Sequence, residues 1–194
     1  MPDRGGDARA VPCDYDVDPE RFVTARRVLS EHATDEDVHG PVARRLLAED
    51  ATPVLDVGCG DGALSRYLPA GAWVGVDTSA RMLDRAPAGA LLGDAAALPF
   101  DDGAFASVTL LYVLYHLADP RQALAEAHRV LRPGGLIFAA APSRWDSPEL
   151  PVLGERPPLT FDAEIAPSML GERFEAVEVE SWDAPLLKLP DRES

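Results

Sequence analysis

The stretch Val54-Leu-Asp-Val-Gly-Cys-Gly-Asp-Gly-Ala-Leu64 decides the fold of this chain. Its first four residues form a short apolar run without helical period, which predicts a buried strand. Three alternate glycines follow, and glycine allows positive φ and lets a ligand approach the backbone. The stretch then predicts the start of a helix, whose first N–H groups have no partner inside the helix. This order of elements predicts a cofactor site over the turn.

The same alternation of strand and helix continues along the chain. Short apolar runs follow one another with helical segments between them, which predicts a parallel sheet covered on both faces. The predicted strands are residues 54–57, 73–76, 90–92, 107–111 and 136–140, and the predicted helices between them are residues 63–68, 80–85 and 120–131. We therefore predict a doubly wound α/β fold of about six strands, the sixth being the alternating segment Phe174–Trp182.

Length and composition fit one domain. The chain has 194 residues, of which 46% are apolar, and a chain of this length buries about 70% of its unfolded surface in one core. We predict a mobile tail over residues 1–18 and a single domain over residues 19–194. Within that domain, residues 19–50 are predicted as N-terminal cap helices and residues 51–141 as the cofactor-binding core. Residues 142–194 are predicted as a loop, a short helix and an edge strand.

Charge and cysteine content exclude several classes of function. The chain carries 18 Lys and Arg against 33 Asp and Glu, a net charge of −15, which disfavours a nucleic-acid partner. No apolar run approaches the length of a membrane span. Two cysteines, Cys13 and Cys59, are too few for a disulfide scaffold, and the start of the chain has no secretory signal, so we expect a cytoplasmic protein. No metal site is predicted, because the histidines lack the spacing of metal ligands.

Three carboxylates follow the first three predicted strands. Asp77 closes the second strand, about twenty residues beyond Asp56. A carboxylate at this position can accept both hydroxyls of a ribose. Asp94 opens the loop after the third strand. Asp56 stands beside the glycine turn, where a carboxylate repels a pyrophosphate and attracts an ammonium or sulfonium. We expect the three side chains to ring one crevice at the carboxyl edge of the sheet.

The glycine turn is compatible with two cofactors. Gly58, Gly60 and Ala63 also satisfy the dinucleotide fingerprint G-x-G-x-x-G/A, so a nicotinamide- or nucleotide-dependent Rossmann enzyme is an alternative. Asp56 is the residue that disfavours the pyrophosphate of such a cofactor. A cofactor-binding module without activity is a further alternative.

Four stretches of the chain carry a family resemblance. They are Leu55–Gly62, Gly75–Leu83, Gly93–Asp102 and Glu126–Gly135. In these residues and their order, the chain resembles the class I S-adenosylmethionine-dependent methyltransferases, in particular the small-molecule branch with a compact domain. The resemblance implies that S-adenosylmethionine is the cofactor, that S-adenosylhomocysteine is the product, and that the methyl acceptor is a small molecule.

The resemblance also implies the roles of individual residues. The glycine turn would approach the methionine part, Asp77 would bind the ribose, and Met82 would pack on the adenine. Asp94, with the amide of Ala95, would read the adenine edge, and Leu111 would line the methionine site. The full set of implied cofactor residues is Asp56, Gly58, Cys59, Gly60, Asp77, Thr78, Met82, Asp94, Ala95 and Leu111.

The acceptor side is predicted to follow the fourth strand. Methyl transfer depends mainly on positioning the two reactants, and a base is needed only when the acceptor is a hydroxyl or a protonated amine. The stretch Tyr112–Leu117 faces the place where the methyl group should sit. Tyr115 and His116 are therefore the candidate catalytic residues.

The end of the chain departs from the family pattern. Members normally continue past the strand near Phe174 into a helix and a seventh strand beside the fifth, whereas this sequence stops at Ser194, so we expect a truncated chain. We predict that Phe174–Trp182 pairs directly with the fifth strand, because unpaired backbone groups there are costly. A homodimer through the fifth strand is the alternative.

Overall fold

The computed structural model describes residues 38–145 and 159–181. The predicted tail over residues 1–18 and the first cap helix lie outside the described residues, as does Trp182 at the end of the predicted sixth strand. In the two described ranges, no helix is both long and apolar enough to cross a bilayer.

Helices and strands alternate along the described chain. In chain order the elements are α1 (His39–Ala48), β1 (Val54–Val57), a first 3-10 helix (Ala63–Tyr67), β2 (Trp73–Asp77), α2 (Ala80–Leu83), β3 (Ala90–Leu92), β4 (Phe105–Leu111), a second 3-10 helix (Leu114–His116), α3 (Pro120–Val130), β5 (Leu131–Ala140) and α4 (Ala166–Gly171). Each of the first five predicted strands forms. The helix predicted over residues 63–68 is a 3-10 helix instead. It ends at Tyr67, because Leu68 takes the extended backbone favoured before a proline, here Pro69.

The five strands form one sheet in the order β3-β2-β1-β4-β5. Every neighbouring pair is parallel. The chain moves outward from β1 through β2 to β3, then crosses to β4 on the other side of β1. The predicted doubly wound α/β fold is confirmed, and the strand order reverses between β1 and β4.

The predicted sixth strand does not form in the described residues. Residues 174–181 are without strand structure, and the ladder that involves β5 joins it to β4. The prediction of direct pairing is therefore wrong for this part of the chain. The segment does not bury its apolar side, since Val179 is 62% exposed and Val177 is only half-buried. Phe174 alone packs on the main core, with its ring 5.5 Å from that of His128.

Two apolar cores cover the sheet. Because successive side chains of a strand point to opposite faces, neighbouring residues of β1 and β4 belong to different cores. Leu55 and Leu110 pack with α3 in one core, and Val54 and Leu111 pack with α1 in the other. The cores hold the central strands rigid beneath the loops at their carboxyl ends.

A buried carboxylate joins the three central strands. Asp56 of β1, only 4% exposed, accepts hydrogen bonds from Thr109 Oγ1 of β4 at 2.7 Å and from Trp73 Nε1 of β2 at 3.1 Å. Gly75 makes room for the indole, because a Cβ there would lie 2.5 Å from Trp73 Cζ2. Burial raises the pKa of Asp56, and the hydrogen bonds from Thr109 and Trp73 oppose that rise.

The loops after β1 and β4 touch at Gly58. This glycine has a φ of +70°, and a Cβ built on it would overlap the Cγ2 atom of Val113. Glycine is therefore required at position 58 for two reasons. One is its backbone conformation, and the other is the space that the valine side chain takes.

We expect Gly58→Ala to lower the free energy of unfolding by about 2 to 5 kcal/mol. Strain at positive φ contributes about 1 to 2 kcal/mol and overpacking against Val113 about 1 to 3 kcal/mol. Gly71→Ala is the matched control, since Gly71 has a φ of +80° and nothing within 4 Å of the Cβ position. Urea unfolding of both variants measures the difference. Equal losses would contradict the contact with Val113.

We expect Asp56→Asn to remove a pH dependence of stability. The folded protein binds the Asp56 proton more tightly than the unfolded chain does. This carboxyl therefore stabilises the fold below its ordinary pKa of 3.8 and loses that contribution as pH rises through the raised pKa. Asparagine keeps an acceptor for Trp73 and offers an N–H to the Thr109 oxygen.

As pH rises from about 4 to about 8, the free energy of unfolding of Asp56→Asn should therefore increase relative to that of the wild type. The gain is about 1.4 kcal/mol for each unit by which burial raises the pKa. Denaturant melts across this range measure it, with Asp84→Asn, an exposed aspartate, as the control. Parallel curves for wild type and Asp56→Asn would contradict the raised pKa.

Candidate cofactor site

The strand order reverses between β1 and β4, and in open α/β sheets the crevice at the carboxyl edge beside such a reversal is where ligands bind. Three ranges of predicted cofactor residues border this edge. They lie on the turn after β1 (residues 58–62), at the end of β2 and just beyond it (residues 77–82), and in the loop after β3 (residues 93–98). The structure brings these ranges together, with the loop after β4 on the far side of the crevice.

The glycine turn is built from left-handed backbone. Gly58, Gly60 and Gly62 have φ values of +70°, +56° and +75°. The amides of Gly58 and Cys59 donate to the carbonyl oxygen of Val76 on β2, at 2.7 and 3.1 Å. The turn is thereby tied to β2, and the glycines permit the left-handed backbone that its shape requires.

Asp77 fixes the glycine turn from the end of β2. Its Oδ2 accepts the amide of Gly60 and its Oδ1 accepts the amide of Ser79, both at 2.8 Å. A carboxylate offers about four lone-pair positions, so these two bonds leave capacity for two further donors. Two neighbouring hydroxyls, as on a ribose, match that capacity. Thr78, between Asp77 and Ser79 in the sequence, is exposed.

Asp94 lies at the same edge as Asp77. The last residue of β2 is in register with Leu92, and the Gly93 amide donates to the Asp77 carbonyl oxygen at 3.0 Å. Asp94 follows directly and accepts the amide of Ala96 at 2.9 Å. Asp94 is exposed, whereas Ala95 is buried beneath it. The two carboxylates therefore border the β2 and β3 side of the crevice.

Glu126 and Arg129 of α3 hold the rest of the loop after β3. Glu126 Oε2 accepts the Leu98 amide at 2.8 Å. The Arg129 guanidinium donates to the carbonyl oxygens of Leu98 at 3.0 Å and of Phe100 at 2.7 Å. Hydrogen bonds from Arg129 lower the pKa of Glu126, so the pair stays charged at neutral pH. The loop that carries Asp94 is thus clamped on α3.

Two side chains at the turn are buried, those of Met82 and Cys59. Met82 is 9% exposed, and its Cε is 3.2 Å from the Cβ position of Gly60. Cys59 is buried, and its pKa is raised by burial and by the nearby charges of Asp56 and Asp77. The thiol is therefore protonated at neutral pH and does not act as a nucleophile.

Asp56 is not among the groups that face the crevice. Both its oxygens accept hydrogen bonds inside the core, so the predicted attraction of a cation at the turn does not rest on this residue. Sequence reasoning missed this because Trp73 is seventeen residues away along the chain. Asp61 is the acidic residue within the turn. Its side chain is 15% exposed, and its Oδ2 lies 3.3 Å from Nη2 of Arg66.

The helix after the turn also disfavours a pyrophosphate. Dinucleotide-binding folds place the pyrophosphate at the N-terminus of an α-helix, where the helix dipole favours an anion. Here the turn leads into a 3-10 helix of five residues, Ala63–Tyr67. A carboxylate within the turn and a short 3-10 helix behind it together weigh against the dinucleotide alternative.

The predicted catalytic residues lie on the second 3-10 helix. The Tyr115 and His116 rings are 4.2 Å apart between centroids, with Tyr115 half-buried and His116 exposed. Thr160 Oγ1 holds the end of this helix by donating to the Leu117 carbonyl oxygen at 2.9 Å. Leu111, at the end of β4, is 8% exposed and packs in the core that contains Cys59.

A segment distant in sequence contacts the loops after β4 and β5. Residues 160–165 bond to the loop after β4 through Thr160 and to the loop after β5 through Asp162. Asp162 is buried and pairs with Arg144 at 2.9 Å, and Glu164 accepts the Arg144 amide at 2.9 Å. The sequence held no signal for these links, because they join loops that have no helical or strand period.

Tyr112 has a backbone conformation that the sequence did not signal. It follows β4 with a φ of +58°, and the residue is 37% exposed. Its amide donates to the Ala140 carbonyl oxygen of β5 at 2.9 Å. Left-handed backbone is predictable at glycine or asparagine, but a tyrosine carries no such signal.

Comparisons with known proteins agree with this geometry. A family model described as a methyltransferase domain matches residues 55–139. A demethylmenaquinone methyltransferase of Staphylococcus aureus is 37% identical over 123 residues, which are 57% of this chain and 50% of that protein. An O-methyltransferase of Penicillium expansum is 31% identical over 186 residues, which are 85% of this chain and 65% of that protein. The chain thus spans less than two thirds of the length of either relative.

A solved structure shares the fold. A SAM-dependent methyltransferase of Thermotoga maritima superposes with a TM-score of 0.61 at 22% identity, covering 79% of this chain and 78% of that one. At this identity the likeness shows the fold alone. The family assignment comes from the match over residues 55–139. Residues 55–139, from the strand before the glycine turn to the fifth strand, match the methyltransferase domain family, and the chain has the fold of a SAM-dependent methyltransferase.

Proposed function

We propose that this chain transfers a methyl group from S-adenosylmethionine to a small-molecule acceptor. The observation that carries the proposal is the Asp77 carboxylate, which binds the glycine turn at Gly60 and keeps acceptor capacity for two hydroxyls. The family match over residues 55–139 and the two methyltransferases named above support it.

The proposal assigns each part of this cofactor to residues at the carboxyl edge of the sheet. In the proposal, Asp77 binds the ribose hydroxyls, Met82 packs on the adenine, and Asp94 with the Ala95 amide reads the adenine edge. The backbone of the glycine turn approaches the methionine part, which Leu111 also lines. The site residues predicted from sequence keep these roles, except that Asp56 acts from the core by fixing Trp73 and Thr109.

Catalysis by this chain would consist mainly of positioning. S-adenosylmethionine supplies a methyl group made electrophilic by a positively charged sulfur. Holding the acceptor in line with that methyl group supplies most of the acceleration. In the proposal, His116, exposed beside Tyr115, accepts a proton from a hydroxyl or an ammonium.

The proposal extends to partners and location. The net charge of −15 favours a small molecule over a nucleic acid as the acceptor. Cys59 is a free thiol, which is compatible with the reducing cytoplasm. A homodimer through β5 stays a prediction.

Binding of three ligands tests the proposed cofactor. We expect S-adenosylmethionine and S-adenosylhomocysteine, each at about 100 times its dissociation constant, to stabilise the protein by about 2.7 kcal/mol in thermal unfolding. NAD is expected to leave the unfolding temperature unchanged. Stabilisation by NAD instead would favour the dinucleotide alternative.

In a separate experiment, Asp77→Ala is expected to weaken binding of S-adenosylmethionine by about 1.5 to 3 kcal/mol, the range for hydrogen bonds to a charged group. Calorimetry measures the loss, and Asp84→Ala, which removes an exposed carboxylate after α2, is the matched control. Unchanged affinity in Asp77→Ala would mean that the ribose lies elsewhere.

We expect His116→Gln to lower kcat about 100-fold or more with acceptors that must lose a proton, because a positioned base contributes that much. Affinity for S-adenosylhomocysteine should not change. The assay follows labelled methyl transfer to a panel of phenols, quinols and amines, with His128→Gln, on the outer face of α3, as control. An unchanged kcat for every accepted phenol would rule out His116 as the base.

A further inference from the structure

Two charged side chains of α3 hold the backbone of the loop after β3. The carboxylate of Glu126 accepts the amide of Leu98 at 2.8 Å, and the guanidinium of Arg129 donates to the carbonyl oxygen of the same residue at 3.0 Å. A second nitrogen of Arg129 donates to the carbonyl oxygen of Phe100 at 2.7 Å. Hydrogen bonds to charged groups are stronger than those between neutral groups, so these three contacts fix the loop on the helix.

Glu126 and Arg129 also fix each other. Nε and Nη2 of Arg129 donate to the two carboxylate oxygens of Glu126, each at 2.8 Å. In such a bidentate pair, the planar guanidinium has one orientation relative to the carboxylate. Both side chains are only partly exposed, so salt screens this pair less than a pair on the open surface. The groups that bind Leu98 are therefore held in one arrangement.

The other end of the loop is bonded to β2. The amide of Gly93 donates to the carbonyl oxygen of Asp77 at 3.0 Å. Asp94 follows directly, and its carbonyl oxygen and Oδ1 accept the amides of Ala97 and Ala96 at 3.0 and 2.9 Å. The stretch that carries Asp94 is therefore attached to β2 at one end and to α3 at the other.

Apolar packing does not replace these hydrogen bonds. Ala95 and Leu98 are buried and belong to the core that contains Ala127 of α3. Apolar burial is non-directional, so it sets the depth of the loop without setting the direction of its polar groups. The hydrogen bonds to Glu126 and Arg129 supply that direction.

We propose that Glu126 and Arg129 are positioning residues for the recognition of adenine. They hold the loop after β3 so that Asp94 and the amide of Ala95 meet the edge of the base. This inference rests on the proposed function, since it concerns the same cofactor. The ribose and the methionine part are assigned to other elements, namely Asp77 and the glycine turn. Loss of the pair therefore impairs reading of the base more than binding of the rest of the cofactor.

The test compares two ligands that differ only at the base. S-adenosylhomocysteine carries the exocyclic amine of adenine, whereas S-inosylhomocysteine carries a carbonyl oxygen there and offers Asp94 no donor at that position. Calorimetry on the full chain measures both dissociation constants, and their ratio is the adenine preference. We expect the wild-type protein to bind S-adenosylhomocysteine at least about tenfold more tightly, as for one hydrogen bond to a charged group.

We expect Arg129→Leu to lower the adenine preference at least about fivefold and to leave the affinity for S-inosylhomocysteine within about twofold, because the hydrogen bonds that hold the loop are lost. Arg129→Lys keeps the charge beside Glu126 but lacks the planar fork, so it should lower the preference as well. This second variant keeps the test valid if Arg129→Leu does not fold.

A double variant separates positioning from general damage to the fold. In the Asp94→Ala background, Arg129→Lys should change the adenine preference by less than about twofold, because the group that Arg129 positions is absent. Arg121→Leu is the matched control, since Arg121 of α3 donates to both carboxylate oxygens of Glu172 at 2.7 and 3.0 Å. Glu172 follows α4, so the control should keep the adenine preference of the wild type.

An unchanged adenine preference in Arg129→Lys, even with both affinities lowered, would overturn the positioning role while the proposed function stands. The same fall in preference with and without Asp94 would overturn it too. Equal binding of the two ligands by the wild-type protein would also overturn the inference, because no adenine preference would then exist. Failure of the wild-type protein to bind S-adenosylhomocysteine would instead overturn the proposed function.

Discussion

The contact between the Gly58 backbone and the Val113 side chain sets the geometry of the whole crevice. It joins the loops after β1 and β4 at the point where the strand order reverses. From the other side, Asp77 holds the same turn through the Gly60 amide. The turn is therefore fixed between two strands before any ligand arrives. Such preorganisation lowers the ordering cost that binding would otherwise carry.

Beneath the turn, the fold keeps a carboxylate in its interior. Asp56 links three neighbouring strands through Trp73 and Thr109, and a glycine at position 75 is kept so that the indole can reach it. Burial of this group has a cost, which the two hydrogen bonds reduce. In return, the arrangement specifies one register for the central strands, because a shift by one residue would leave the carboxylate without its partners.

Sequence patterns predicted the features that depend on local chain properties. Apolar runs and glycines gave the five strands and the turn at residues 54–64, and motif order gave Asp77 and Asp94 at one edge. Other features depend on partners distant along the chain. The burial of Asp56 depends on Trp73 and Thr109. The sixth strand was overestimated because alternation in residues 174–181 resembles a strand, although most of its side chains are exposed.

The hydrogen bond from Thr160 to Leu117 links groups 43 residues apart, whereas the glycine turn and Asp77 are 17 residues apart. Closing a longer loop costs more chain entropy. The bond between the glycine turn and Asp77 therefore closes a shorter loop than the bond that docks residues 160–165 on the loop after β4. We expect local opening of that segment to release the loop with Tyr115 and His116 while β1, β2 and β3 keep their pairing. Amide hydrogen exchange would then show two separate opening reactions within the described residues.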